Sequence, residues 1–228
     1  MMFSCWASAV TMPYFRQFMQ GFARHLAEFA PAVQHIQLGI GPEGECRYPF
    51  LGHYAEEGLS AYFPCYSQQA LRLLAKAMLA QYGDLPAWQQ AWQQPTLDLS
   101  QPEVLKQVVV DITQRLMTPQ SGSAERDFCR WYHESLMDYG RDLLQLASQV
   151  FDAQWGHCTL GVRLPGRLPA LLHGDTELAE VIAGFIAEPH SVLSRSESFA
   201  LTLAKLLPAF AQKLINFPVD RSTEQRVV

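Results

Sequence analysis

The stretch HIQLGIGPEGECRYPF, residues 35–50, decides how this chain is read. Its first six residues set His35, Gln37 and Gly39 against Ile36, Leu38 and Ile40, the two-residue period of a strand. A loop rich in Gly, Pro, Tyr and Phe follows, from Gly41 to about Pro64. Two chemistries compete for it. Gly39, Gly41 and Gly44 fit the GxGxxG dinucleotide pattern. That pattern must open a helix whose N-terminus holds a pyrophosphate. Pro49 and the later loop glycines stop a helix from starting at once, and Pro42 removes an N–H that a phosphate cradle would use. The other chemistry is a carboxylate presented past the C-terminal end of a strand, where (β/α)-barrels carry their catalytic groups. Glu45 stands in that place. The glycines beside it let the backbone pass close to a ligand. Arg47 and Tyr48 can bind sugar hydroxyls or fix the carboxylate.

Working outward, residues 13–29 show helical spacing, with Phe15, Phe18, Met19, Phe22, Leu26 and Phe29 apolar and Pro31 as the stop. Before them, MMFSCWASAVTMPYF is apolar and lacks the early Lys or Arg of a signal peptide. It reads as a strand that starts abruptly, and the compartment stays open. Residues 67–82 predict a helix between an N-cap at Ser67 and Gly83. Trp88 and Trp92 suggest a short helix over 85–94, and 101–117 is a helix or a connection. Gly122, between Ser121 and Ser123, is the one linker-like patch. The longest helical pattern covers 124–151. A strand over 158–164, helices over 176–186 and 198–212, and a final strand over 214–219 complete the pass. Strands alternating with helices predict an α/β fold with a parallel sheet.

Composition excludes several partners. The chain has 228 residues, 22 acidic and 17 basic, for a net charge of −5. With 49% apolar residues it can bury a real core. The negative balance and the lack of a Lys/Arg run argue against nucleic acid and acidic membranes. The best apolar stretch, Phe199 to Ile215, is interrupted by Lys205 and Lys213, so no membrane span is expected. Cys5, Cys46, Cys65, Cys129 and Cys158 are odd in number and widely spaced, which fits buried thiols better than disulfides or a zinc ribbon. The histidines, His25, His35, His53, His133, His157, His173 and His190, form no i, i+4 pair and no HExxH, so metal ligation is not expected.

The loop resembles the acid-loop signature of the family 14 glycoside hydrolases, the β-amylases. Gly39, Gly41, Pro42, Gly44, Glu45, Arg47, Tyr48 and Pro49 occupy every fixed position of its Gly-x-Gly-Pro-x-Gly-Glu-x-Arg-Tyr-Pro pattern. Further blocks follow in family order. They are Phe63-Pro64-Cys65-Tyr66, Phe128 to Tyr132, Val162 to Gly166, and Ala179 to Phe185. The resemblance implies a (β/α)8 TIM-type barrel, here a partial one forming a single domain over 1–228. It also implies a polysaccharide substrate, hydrolysed at α-1,4-glucosidic bonds from the non-reducing end with inversion to release maltose. The general acid then falls on Glu45 and not Glu43, with Arg47, Tyr48 and Arg163 as substrate-binding groups.

Departures from the family pattern are specific. The family's Lys is Arg163 here, with a different reach and hydrogen-bond geometry. Its Ile-His-Trp run is Arg167-Leu168-Pro169 here. Its catalytic base, a Glu on a late strand, has no Glu in register, and Asp220 and Glu224 are the nearest candidates. The family's N-terminal barrel strands have no counterpart, and with few strands visible the chain is expected to be part of a larger barrel. Two readings follow: an active exo-acting hydrolase, or a non-catalytic or truncated relative that binds glucan. Another barrel glycosidase is the third.

Overall fold

The computed structural model describes residues 5–39, 41, 47–48, 63–116, 122–162, 181 and 183–184. Helix α1 (Ser8–His25) is followed by a 3-10 segment (Ala27–Ala32) and strand β1 (His35–Leu38). Four helices come next: α2 (Gln68–Tyr82), α3 (Leu85–Trp92), α4 (Pro102–Arg115) and α5 (Ser123–Trp155). Strand β2 (Thr159–Val162) closes the order. β1 and β2 pair in parallel, from His35 opposite Thr159 to Leu38 opposite Val162. The predicted parallel pairing is therefore present, with α2 to α5 in the crossover.

The N-terminal strand is not. Cys5–Ala7 is a 3-10 turn that leads directly into α1, so the helix starts five residues before Pro13. An unbroken apolar run fits either a strand or a helix that buries one side, and periodicity alone does not separate them. Proline at position 13 keeps a helical φ and forgoes only the bond to the carbonyl one turn back. The helix also ends earlier than its apolar spacing suggested, at His25, and Pro31 sits inside the 3-10 segment.

Where caps are strong, the boundaries fall where the sequence puts them. Ser67 Oγ accepts from Ala70 N at 3.2 Å to open α2, and Gly83, at φ +87°, closes it. Asp84 Oδ1 accepts from Ala87 N at 2.8 Å to open α3. Residues 102–115 form a true helix, with Pro102 in its first turn. The Gly122 patch is the N-terminus of α5 and not a linker. Glu125 accepts from Gly122 N at 2.8 Å, is itself buried, and pairs with Arg115 at 2.6 Å to lock α4 to α5.

α5 is the spine. Against α1 it sets Tyr139 on Phe15 (6.5 Å between centroids) and Phe151 and Trp155 on Phe22 (6.1 and 6.0 Å). On its other side Asp127 accepts from Gln81 Nε2 (3.0 Å), Tyr82 Oη and Trp92 Nε1 (2.9 Å). One buried carboxylate thus ties α2, α3 and α5 together. The start of β2 is fixed by Thr159 N donating to Gln34 O at 2.9 Å and Cys158 Sγ donating to Val33 O at 3.0 Å. The expected helices at 176–186 and 198–212 and the strand at 214–219 lie outside the described residues, apart from Val181, Ala183 and Gly184.

Candidate active site

β1 ends at Leu38, and Gly39 begins the loop at its C-terminal end. Glu45, Arg163, Asp220 and Glu224 lie outside the described residues. Arg47 and Tyr48, near the end of the acid-loop motif, are both described and both buried.

Tyr48 stands in the core rather than on an open loop. Its backbone N donates to Ala183 O at 3.1 Å, and its hydroxyl donates to Tyr132 O at 3.0 Å. Cys5 Sγ lies 3.3 Å from that hydroxyl. The Tyr48 ring stacks on Trp6, with centroids 5.2 Å apart and planes 12° from parallel, and meets Tyr132 at 4.1 Å. Trp6 in turn stacks on Trp131 at 5.8 Å. Phe63, from the Phe-Pro-Cys-Tyr block, is fully buried edge-on against Phe128 and Tyr132. These rings form one aromatic block under the described end of the acid loop. Such pairs each contribute about 0.5–1.5 kcal/mol beyond area burial.

The block leaves no polar atom of Tyr48 idle. Burial pushes its hydroxyl well above the usual tyrosine range, with the Cys5 and Tyr132 groups adding to the rise. It is a neutral donor, already given to a backbone carbonyl. Burial also pushes the Cys5 thiol up to about 12, against a smaller lowering from its contact with Tyr48. Cys65 and Cys129 are buried, with burial raising both thiols. None of the three is a thiolate nucleophile at neutral pH.

Two residues that motif reading does not single out complete the arrangement. Gly184 has φ +84°, and a Cβ there would fall 2.7 Å from Tyr48 Cδ2 and 2.9 Å from Leu136 Cδ2. His133, on α5, has Nδ1 2.8 Å from Gly184 O. A carbonyl only accepts, so Nδ1 carries the proton. Nε2 is then a bare acceptor, buried with no hydrogen-bond partner among the described residues. Burial lowers the His133 pKa, and the Gly184 carbonyl opposes that. α5 therefore reaches the loop twice, through the Tyr132 carbonyl and through His133 and Gly184. Gly184 lay inside a sequence block already matched to the family, but its need for glycine comes from Tyr48, far away in the chain. Among the described residues, no group of three His, Cys, Asp or Glu side chains is placed to hold a metal ion. No described helix is long and apolar enough to cross a membrane.

Comparisons with known proteins bear on family and fold. The sequence profile described as glycosyl hydrolase family 14 matches residues 3–185. The chain is 26% identical over 190 residues to the thermophilic beta-amylase of Thermoanaerobacterium thermosulfurigenes, covering 80% of this chain and 32% of that protein. It is 28% identical over 203 residues to inactive beta-amylase 9 of Arabidopsis thaliana, covering 85% and 34%. Its fold is similar to the catalytic domain of beta-amylase from Paenibacillus polymyxa, with a TM-score of 0.60 at 21% identity, over 87% of this chain and 54% of that one. The fold is thus part of a (β/α)8 barrel, mostly helical in its described residues. The chain spans about a third of the length of these two curated relatives.

Proposed function

The chain belongs to glycosyl hydrolase family 14, and on that premise we propose that it serves the hydrolysis of α-1,4-glucosidic bonds of a starch-like polysaccharide. Maltose is released from non-reducing ends with inversion, and Glu45 is the general acid. The observation that supports this is the acid loop itself: the full motif, Gly39 to Pro49, starting at the C-terminal end of β1. Inversion needs two carboxyls about 6.5–9.5 Å apart, one protonated to serve the leaving oxygen and one ionised to activate water. Glu45 takes the first role, which requires a raised pKa. Asp220 or Glu224 takes the second. Arg163 binds the glucan. Arg47 fixes the loop carboxylate or a sugar hydroxyl. Tyr48 was expected to touch sugar, but its hydroxyl is engaged within the protein. Its part in this reading is to anchor the loop. No metal or organic cofactor enters the reaction.

The test is maltose release from starch by the wild type and by Glu45→Gln. Loss of activity in the variant is expected, and equal activity in both proteins overturns the assignment.

A second reading has its own support. One relative is named an inactive beta-amylase, and no Glu stands in register for the base. On that reading the chain binds glucan without cleaving it. Glucan affinity electrophoresis separates the two: retardation on starch gels with no maltose from either protein favours the binding role.

A further inference from the structure

Tyr48 is held at its ring tip and at its main chain, and the two attachments differ in reach. The Tyr132 carbonyl holds the hydroxyl, at the far end of the side chain. The main chain is held by the turn that ends at Gly184. Gly184 N donates to Val181 O at 3.0 Å to close that turn, and Tyr48 N donates to Ala183 O at 3.1 Å. Two neighbouring carbonyls thus face two different elements. Ala183 O receives the acid loop, and Gly184 O receives α5 through His133 Nδ1 at 2.8 Å. The Tyr48 ring also lies where a Cβ of Gly184 would be, so a shift of the turn moves Tyr48.

His133 is the rigid end of this series of contacts. Its main chain belongs to a helix of 33 residues, and its side chain is 2% exposed. A hydrogen bond in such a place is stronger than one in water. The imidazole is fixed by α5 at one end and by a carbonyl at the other, and so sets where that carbonyl lies. From Tyr48 the constraint passes along the chain. Glu45 stands three residues earlier, a span of at most about 10 Å. Movement of the main chain at Tyr48 reaches Glu45 directly, whereas movement of the ring tip does not. Misplacing a reacting group by about 1 Å can cost about a hundredfold in rate.

We propose that His133 is a positioning residue for the acid loop: it holds the turn at Gly184, the turn holds the main chain of Tyr48, and Tyr48 sets the place of Glu45. The effect on catalysis rests on the hydrolytic reading of Glu45, while the hold on the loop stands apart from it.

Two variants isolate the bond. His133→Leu keeps a side chain of similar reach and removes the donor. His133→Asn carries an amide nitrogen at the same remove from Cβ as Nδ1, and restores the donor. The first readout is hydrogen exchange of the Tyr48 amide, followed by NMR in the full chain. The control is the amide of Leu144, a buried residue of α5. His133→Leu is expected to speed Tyr48 exchange at least about fivefold, the worth of one hydrogen bond. Leu144 stays unchanged, and His133→Asn returns Tyr48 to the wild-type rate. The second readout is maltose release from starch. His133→Leu lowers kcat at least about tenfold with KM unchanged, and His133→Asn recovers most of it. If the wild type releases no maltose, the hydrolytic reading has failed by itself, and the exchange rates alone decide whether His133 holds the loop. Tyr48 exchange that His133→Leu leaves unchanged overturns the proposal, as does Leu144 exchange that rises with it. So does a His133→Asn protein that behaves as His133→Leu, an active enzyme whose kcat His133→Leu leaves intact, or a loss carried by KM instead of kcat. Should His133→Leu not fold, His133→Gln takes its place, because its amide nitrogen stands where Nε2 stands and not at Nδ1.

Discussion

The ring of Tyr48 fills the space that a side chain on Gly184 would need: a Cβ at residue 184 would sit 2.7 Å from Tyr48 Cδ2. One residue is the next-to-last of the acid-loop motif and the other lies in the later Ala-Gly-Phe block, so the two segments fit only as a pair. Gly184→Ala must either push Tyr48 out or leave a left-handed residue with a Cβ. Overpacking alone costs about 1–3 kcal/mol, and the left-handed backbone adds about 1 kcal/mol. The expected outcome is a lower denaturation midpoint. The Cys5 thiol, held near Tyr48 Oη at 3.3 Å, also becomes faster to alkylate. Unchanged Cys5 labelling together with an unchanged midpoint would rule out the close fit.

Tyr48→Phe probes the same joint from the hydroxyl side. The ring still stacks on Trp6, so packing is kept. The loss is the donor to Tyr132 O, in a place water does not reach. The Tyr132 carbonyl sits inside α5 and keeps its helical partner, so the loss is that of one buried hydrogen bond, about 0.5–1.5 kcal/mol. Urea unfolding of wild type and variant gives the difference. A cost near zero would mean that the hydroxyl's bond to α5 adds nothing to the fold.

His133 gives the fold a pH dependence of definite sign. Burial holds its folded pKa below the ordinary value of 6.5, so the folded imidazole resists the proton that the unfolded one accepts. Its contribution is fully present above about pH 6.5 and is lost as pH falls below that value. Burial raises the carboxyls of Glu134 and Asp142, which pull the other way: folded, they take protons more readily than unfolded. The imidazole is therefore isolated by difference. Denaturation midpoints of wild type and His133→Gln are compared at pH 7.5 and 5.5. Wild type is expected to lose more on acidification than the variant. An equal loss in both would remove His133 from the account.

Asp127 carries the crossover. It accepts from groups on α2 and α3 while standing on α5. Asp127→Ala strands Trp92 Nε1, which is buried, and releases Tyr82 and Gln81. Bonds to a charged acceptor contribute about 1.5–3 kcal/mol each, though not additively, and the expected loss is about 3 kcal/mol. Asp127→Asn keeps the shape, but its amide turns one donor towards donors, so an intermediate loss is expected. Calorimetric unfolding ranks the three proteins, and a milder loss for Asp127→Ala than for Asp127→Asn contradicts the acceptor role.

What the sequence made legible is local. α2 is bounded by a capping serine and a closing glycine, and both act as residue chemistry says they should. The parallel pairing follows from alternating elements. The N-terminal run was misread because residues 1–15 are apolar without a clear period, and only packing on α5 selects the helix. At the site, the acid-loop motif is readable in full, but the work of Tyr48 is not. A tyrosine among glycines looks free to meet a ligand, whereas the Tyr132 carbonyl and the Trp6 ring that occupy it come from distant parts of the chain. The left-handed backbone of Gly184 and the single bond of His133 are products of tertiary contact and leave no trace in spacing.

Trp6 shows how far that contact reaches. It lies in the 3-10 turn before α1 and stacks on both Tyr48 and Trp131. Its Nε1 is buried with no hydrogen-bond partner among the described residues. Two substitutions separate these properties. Trp6→Phe keeps an aromatic face and discards an unsatisfied donor, and is expected to cost little, about 1 kcal/mol. Trp6→Ala removes the stack and opens a cavity against Tyr48, at about 3–5 kcal/mol. With the stack gone, Tyr48 loses one wall of its site, and Cys5 labelling rises as it does in Gly184→Ala. Chemical denaturation and alkylation rates check both statements. If Trp6→Phe is as damaging as Trp6→Ala, the indole N–H has a partner and the stacking account fails.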